Sequence, residues 1–110
     1  MNFYIGNSID EIDEQDVSVE FSDELIDFIY KMSGQVSFDM SKLYKIDPYD
    51  DVEVSKNDLP QIVEICKSIL DSALLQDYEK PDEGRQMLQD LLEIIKKTTT
   101  RELGLVSIGD

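Results

Sequence analysis

Carboxylates are the side chains of this chain whose number and spacing could do chemistry. Residues 10–27 read DEIDEQDVSVEFSDELID and hold nine of them: Asp10, Glu11, Asp13, Glu14, Asp16, Glu20, Asp23, Glu24 and Asp27. Lys31 is the first basic residue, so residues 1–30 carry nine acids and no base, against 16 acids and 10 bases in residues 31–110. Three kinds of chemistry use such groups. A pair at the right separation hydrolyses glycosides. A convergent set holds magnesium or calcium. A solvated face steers a cationic partner toward itself. With 25 Asp and Glu in 110 residues, pairs at any chosen spacing arise by chance, so a carboxylate-dependent hydrolase carries little weight.

The metal reading is weak as well. An EF-hand loop wants oxygen ligands at positions 1, 3, 5 and 12 and a glycine at 6. Counted from Asp47, the chain supplies Tyr49, Asp51, Val52 and Asp58 at positions 3, 5, 6 and 12; counted from Asp10, it supplies Ile12 and Glu14 at 3 and 5. Neither register fits. A calcium site of another kind, built from Asp47, Asp50 and Asp51, is the alternative to a plain turn with solvated carboxylates, and the plain turn is favoured. Zinc is poorly served, because the chain has no histidine and one cysteine, Cys66. The same absence leaves Cys66 and the hydroxyls without an imidazole base. The five glycines are scattered singly, so no phosphate-cradling loop is present. No cofactor, metal ligand or catalytic residue is expected, and the chain is read as a binding protein rather than an enzyme.

These acids must be positioned by a small fold. A length of 110 residues suits a single domain spanning 1–110. At 41% hydrophobic residues the chain can build a core, so its net charge of −15 is a surface property. Phe3, Tyr4 and Ile5 before a Gly6-Asn7-Ser8 turn signal a first strand. Residues 8–16 read as an exposed loop or loose turn with Ile9 and Ile12 on its inner side. Val17, Val19 and Phe21 alternate with polar residues, the pattern of a half-buried strand. Ser22 is a helix N-cap, with Asp23 and Glu24 in the first turn and Leu25, Phe28, Ile29 and Met32 as the buried stripe. Gly34 is placed at the left-handed C′ position of that helix.

Val36, Phe38 and Met40 alternate again, and Val52 to Val54 is strand-like, so a hairpin over residues 36–54 turning at Pro48 is expected. Asp58 with Gln61 resembles a capping box, and Pro60 suits a first turn. The stripe Ile62, Cys66, Ile69 and Ala73 carries that helix to about Leu75, and Cys66 on it reads as core. Pro81 opens a third helix with Met87, Leu88, Leu91, Leu92 and Ile95 inside, ending between Lys97 and Leu103 with Gly104 as the stop. Leu105, Val106 and Ile108 form either a last strand or a packed tail. The expected fold class is α+β: a small, largely antiparallel sheet with about three helices packed on one face.

Residues 43–70, LYKIDPYDDVEVSKNDLPQIVEICKSIL, carry a further indication. This strand, Asp-Pro-Tyr turn, strand and amphipathic helix resembles the small acidic immunity proteins of bacterial contact-dependent and polymorphic toxin systems. The resemblance implies a non-enzymatic inhibitor that binds a cognate basic toxin, often a nuclease, in the producing cell. It assigns no individual binding residue.

The partner-binding candidates are therefore taken from the charge distribution: Asp10, Glu11, Asp13, Glu14, Asp16 and Glu20, with Asp47, Asp50 and Asp51 as a second patch. Tyr4, Phe21 and Tyr30 are nearby aromatic anchors, although Phe21 suits the core better. The expected partner is a basic protein. Nucleic acid and anionic membrane are disfavoured by a pI near 4.1. A cytoplasmic location is expected from the single cysteine, the lack of a signal segment and the lack of a membrane-spanning run.

Overall fold

The computed structural model describes residues 1–13 and 15–109. Among these residues, four strands form one antiparallel sheet: β1 (Asn2–Ile5), β2 (Ser18–Glu20), β3 (Val52–Val54) and β4 (Leu105–Ile108). Their order is β2-β1-β4-β3, so β2 and β3 are the edges. The helices are α1 (Asp23–Lys31), α2 (Ser41–Tyr44), α3 (Leu59–Asp71) and α4 (Pro81–Thr100). The protein is thus α+β, as the order of apolar patterns predicts.

Alternation decides the faces of the sheet. Phe3 and Ile5 of β1, Leu105 of β4 and Val54 of β3 join the same core as the helix stripes. Val106 points the other way and is still fully buried, in register between Tyr4 and Glu53. The segment after β1 crosses this outer side. Its 3-10 turn, Ile9–Glu11, is tied there by the Ile9 N–H donating to Glu53 Oε2 at 3.1 Å. Ile9 is accordingly exposed rather than turned inward, while Ile12 is half-buried against Gly6. Val17 is also exposed, so the half-buried stretch begins at Val19.

Helix α1 forms as its sequence requires. The Ser22 hydroxyl accepts from the Leu25 N–H at 3.1 Å, and Leu25, Ile26 and Ile29 are buried. Gly34 does not end it: Met32 caps the helix in right-handed geometry, and none of the described glycines has positive φ. Asp58 makes no side-chain cap to α3, because its carboxylate instead accepts from Lys42 Nζ at 3.2 Å. Helix α3 stops at Asp71, and a separate 3-10 turn, Leu74–Asp77, carries the chain on to α4.

The expected hairpin over residues 36–54 is not formed. Val36 and Phe38 lie in irregular backbone, residues 41–44 are the short helix α2, and β3 pairs with β4 instead. The alternation at 36–40 records side chains dipping into the core from a loop, not strand pairing.

The stop of α4 also differs from expectation. Glu102 takes the left-handed conformation, with φ 57°. The Leu103 N–H returns to Thr98 O and the Glu102 N–H to Thr99 O, at 3.1 and 3.0 Å. This is a Schellman closure with a non-glycine at C′. Gly104 serves a different need: a Cβ there would sit 2.7 Å from Val54 O. Left-handed backbone costs an L-residue roughly 1–2 kcal/mol that glycine avoids. Glu102→Gly should therefore raise folding stability by about 1 kcal/mol in urea denaturation, and an unchanged or lower midpoint would contradict this account of the turn.

Candidate functional site

Two acidic segments far apart in the chain meet on one face. Because α1 buries Leu25, Ile26 and Ile29, its other side presents Asp23, Glu24, Asp27 and Tyr30. The turn before β3 is built locally: Asp47 Oδ1 accepts the Tyr49 N–H at 2.9 Å, closing an Asx turn around Pro48. That turn throws Tyr49 across to α1, where its hydroxyl donates to Asp23 Oδ2 at 3.1 Å. Tyr44 of α2 stands between them, edge to face with Tyr30 at a ring-centroid distance of 5.3 Å. The result is an open groove of about 520 Å³. Its walls carry Asp23, Glu24, Asp27, Asp47 and the three tyrosines, and no cation lines it. Lys31 reaches the rim, where it pairs with Asp27 at 3.1 Å.

The electrostatics follow from this crowding. The Asp23 carboxylate, by accepting the hydroxyl's hydrogen bond and by its charge, raises the Tyr49 pKa above the usual phenol value, with Asp27 and Asp47 adding to it. Tyr49 therefore stays a neutral donor. Tyr30 and Tyr49 are 60% and 68% exposed, although the Tyr30 ring packs on Tyr44 and the Tyr49 hydroxyl bonds Asp23. Tyrosine offers a broad amphipathic contact at low entropic cost, which is why it is enriched in interfaces.

The nine sequence-derived candidates distribute unevenly around this face. Asp47 is in it. Asp50 and Asp51 are exposed on the far side of the same turn, where Asp50 Oδ1 accepts the Asp51 N–H and Asp51 Oδ1 accepts the Gly109 N–H. Asp10 and Glu11 are exposed on the 3-10 turn that the Ile9–Glu53 bond holds beside β3, and so beside Asp51. Asp13 is exposed but bonds its own backbone, accepting the Gln15 N–H. Glu14 lies outside the described residues. Glu20 is exposed on edge strand β2, away from the tyrosines.

Asp16 is drawn out of the acidic loop. It pairs with Arg101, just past the end of α4, at 2.5 Å. The Arg101 hydrogen bond, then the Val17 N–H, pull its pKa below the ordinary 3.8. A carboxylate with a depressed folded-state pKa stabilises the fold above its ordinary value, and that contribution is lost as pH falls through the lower folded value. Asp16→Asn is thus expected to destabilise the protein modestly at pH 7. The difference from the parent should close as the pH is taken below 3.8. A gap that persisted unchanged to pH 2 would show that the ion pair is not its source.

Among the described residues, no group of three or more His, Cys, Asp or Glu side chains converges to hold a metal ion. The carboxylates of Asp47, Asp50 and Asp51 each turn back to a backbone N–H instead. Cys66 is buried on α3, and burial pushes its thiol up to about 12, so it stays protonated as a core side chain. Tyr44 and Tyr49, the residues that sequence reasoning missed, carry no local signal beyond being aromatic near a Pro turn. Of the described helices, none is long and apolar enough to cross a membrane. No family model, curated protein or solved structure matches this chain.

Proposed function

We propose that this chain is a non-enzymatic binding protein for a basic protein partner, an immunity protein that neutralises a cognate toxin in the cytoplasm. The observation that carries the reading is the Tyr49–Asp23 contact, which unites two acidic segments into one tyrosine-bearing face. Such a face has the parts of a docking surface: aromatic anchors at its centre and an excess of negative charge around them. A standard interface takes about 800 Å² from each partner. The groove and the flanking acids of the 47–51 turn are the part of the surface offered for that contact. The resemblance of residues 43–70 to immunity proteins adds the kind of partner, a cationic toxin, often a nuclease.

The test is co-expression with the protein encoded by the adjacent reading frame. That protein alone should arrest growth, this chain should relieve the arrest, and the purified pair should form a tight complex that loosens with salt. Arrest without relief by this chain would reject the proposal.

A further inference from the structure

The β2 edge of the sheet carries a second surface, which shares only Glu24 with the walls of the tyrosine groove. Met1 and Phe21 exchange both backbone hydrogen bonds, at 2.9 and 3.1 Å. With Phe3 opposite Val19, the antiparallel alternation then assigns the inward-pointing groups to Val19 and Phe21. The N–H and C=O groups of Ser18 and Glu20 point outward from β2, and no described strand pairs with them. Proteins usually blunt such an edge with charged side chains such as lysine, with proline or a covering segment, or by keeping the strand short. Of these, β2 shows only its three-residue length and the charge of Glu20. The other edge, β3, adjoins a hollow whose walls include Lys42 and Lys45. β2 has neither lysine nor proline, and it borders an open groove of about 800 Å³.

That groove is shaped to accept an extended chain. Its second wall is α4, whose Glu83, Met87, Asp90, Ile94 and Lys97 succeed one another about one turn apart and so run along the groove's length. Val19, Met87 and Ile94 give it an apolar floor, and exposed Val17 lies at one end. Acids dominate the walls: Glu20, Glu24, Glu83, Asp90 and Glu93 face two lysines, Lys80 and Lys97. Lys80 is already paired with Glu83, at 3.9 Å.

We propose that the free edge of β2 and the flanking α4 wall bind an extended, basic segment of another protein by strand addition. Ser18 and Glu20 would supply the backbone hydrogen bonds. Apolar side chains on one side of the segment would rest on Met87 and Ile94, and cationic ones on the other side would reach Glu20. Asp90 and Glu93 on the α4 wall would add longer-range attraction for the basic segment. Charge selects this occupant over a second copy of the chain, because two such edges would bring five acids against five.

The probe is a capped six-residue peptide alternating lysine and valine, titrated into isotope-labelled protein and followed by NMR. Saturable shifts are expected at Val17 to Phe21 and along α4, with amide exchange of Ser18 and Glu20 slowed about tenfold. N-methylation of the peptide on its pairing side should weaken binding about tenfold, the loss of two backbone hydrogen bonds. A glutamate–valine peptide should not bind the parent but should bind Asp90→Lys/Glu93→Lys, which loses the lysine peptide. Absence of saturable binding, indifference to N-methylation, or shifts confined to Tyr30, Tyr44 and Tyr49 would overturn the proposal. So would sedimentation showing a dimer that N-methylated peptide cannot dissociate but the unmodified peptide can, since the edge would then be filled by a second copy. This test reads binding in the β2–α4 groove and the co-expression test reads relief of growth arrest, so failure of one reading is distinguishable from failure of the other.

Discussion

Phe21→Ala is expected to cost about 3–5 kcal/mol of folding stability, the usual range for emptying a buried aromatic site. The ring is fully buried and meets Phe3 edge to face at 6.0 Å, a geometry that adds to plain area burial. Its backbone also closes the β1–β2 ladder on Met1. A domain of this size holds roughly 5–15 kcal/mol in total. The melting temperature should therefore fall by roughly 12–20 °C. Tyr30→Ala is the matched control, because its ring is 60% exposed. It should move the melting temperature by only a few degrees. Equal shifts for the two variants would mean that Phe21 does not anchor the core.

The second large effect concerns association. Asp23→Lys/Asp27→Lys/Asp47→Lys is expected to slow binding of a basic partner by about tenfold or more in 20–50 mM salt. The gap should narrow as ionic strength rises, since the Debye length shrinks to about 8 Å at physiological salt. Tyr49→Ala should act differently, raising the dissociation rate while leaving most of the association rate intact. Stopped-flow measurement over a salt series separates the two. A triple variant whose association rate matched the parent at low salt would remove the tyrosine–carboxylate face from the interface. Circular dichroism should confirm that each variant is folded, as these side chains lie outside the core.

The helices were legible from their stripes because burial of one face imposes a period that the chain itself displays. Leu25 and Ile29 on α1, Ile62, Cys66 and Ile69 on α3, and Leu88, Leu91 and Ile95 on α4 are all buried as that period requires. Strand pairing was harder to read. Val36, Phe38 and Met40 alternate like a strand, yet only the partner makes a strand, and β3 finds its partner about fifty residues later in β4. Leu105 to Ile108 left open the choice between strand and tail. The answer lay in burial on both faces, which Leu105 and Val106 show together.

The site was half legible for a related reason. Asp47 was chosen from its turn, and the α1 acids were visible as part of residues 10–27. Nothing local to either segment tells that Tyr49 bonds Asp23, 26 residues away in sequence. Asp16 shows the converse. Its sequence neighbours mark it as a free surface charge, but Arg101, 85 residues on, claims it.

The place of β4 has a temporal consequence. It is the seam between β1 and β3, pairing with Asn2–Ile5 on one side and Val52–Val54 on the other. During synthesis β1, β2 and β3 all precede β4: β1 and β2 can form at most a marginal hairpin before it, and β3 has no strand to pair with. The sheet closes only when residues 105–108 are released. Helical segments can form early, but the pairing of β1 with β4 must close a loop from Ile5 to Leu105, and such non-local pairing makes completion of the sheet slow.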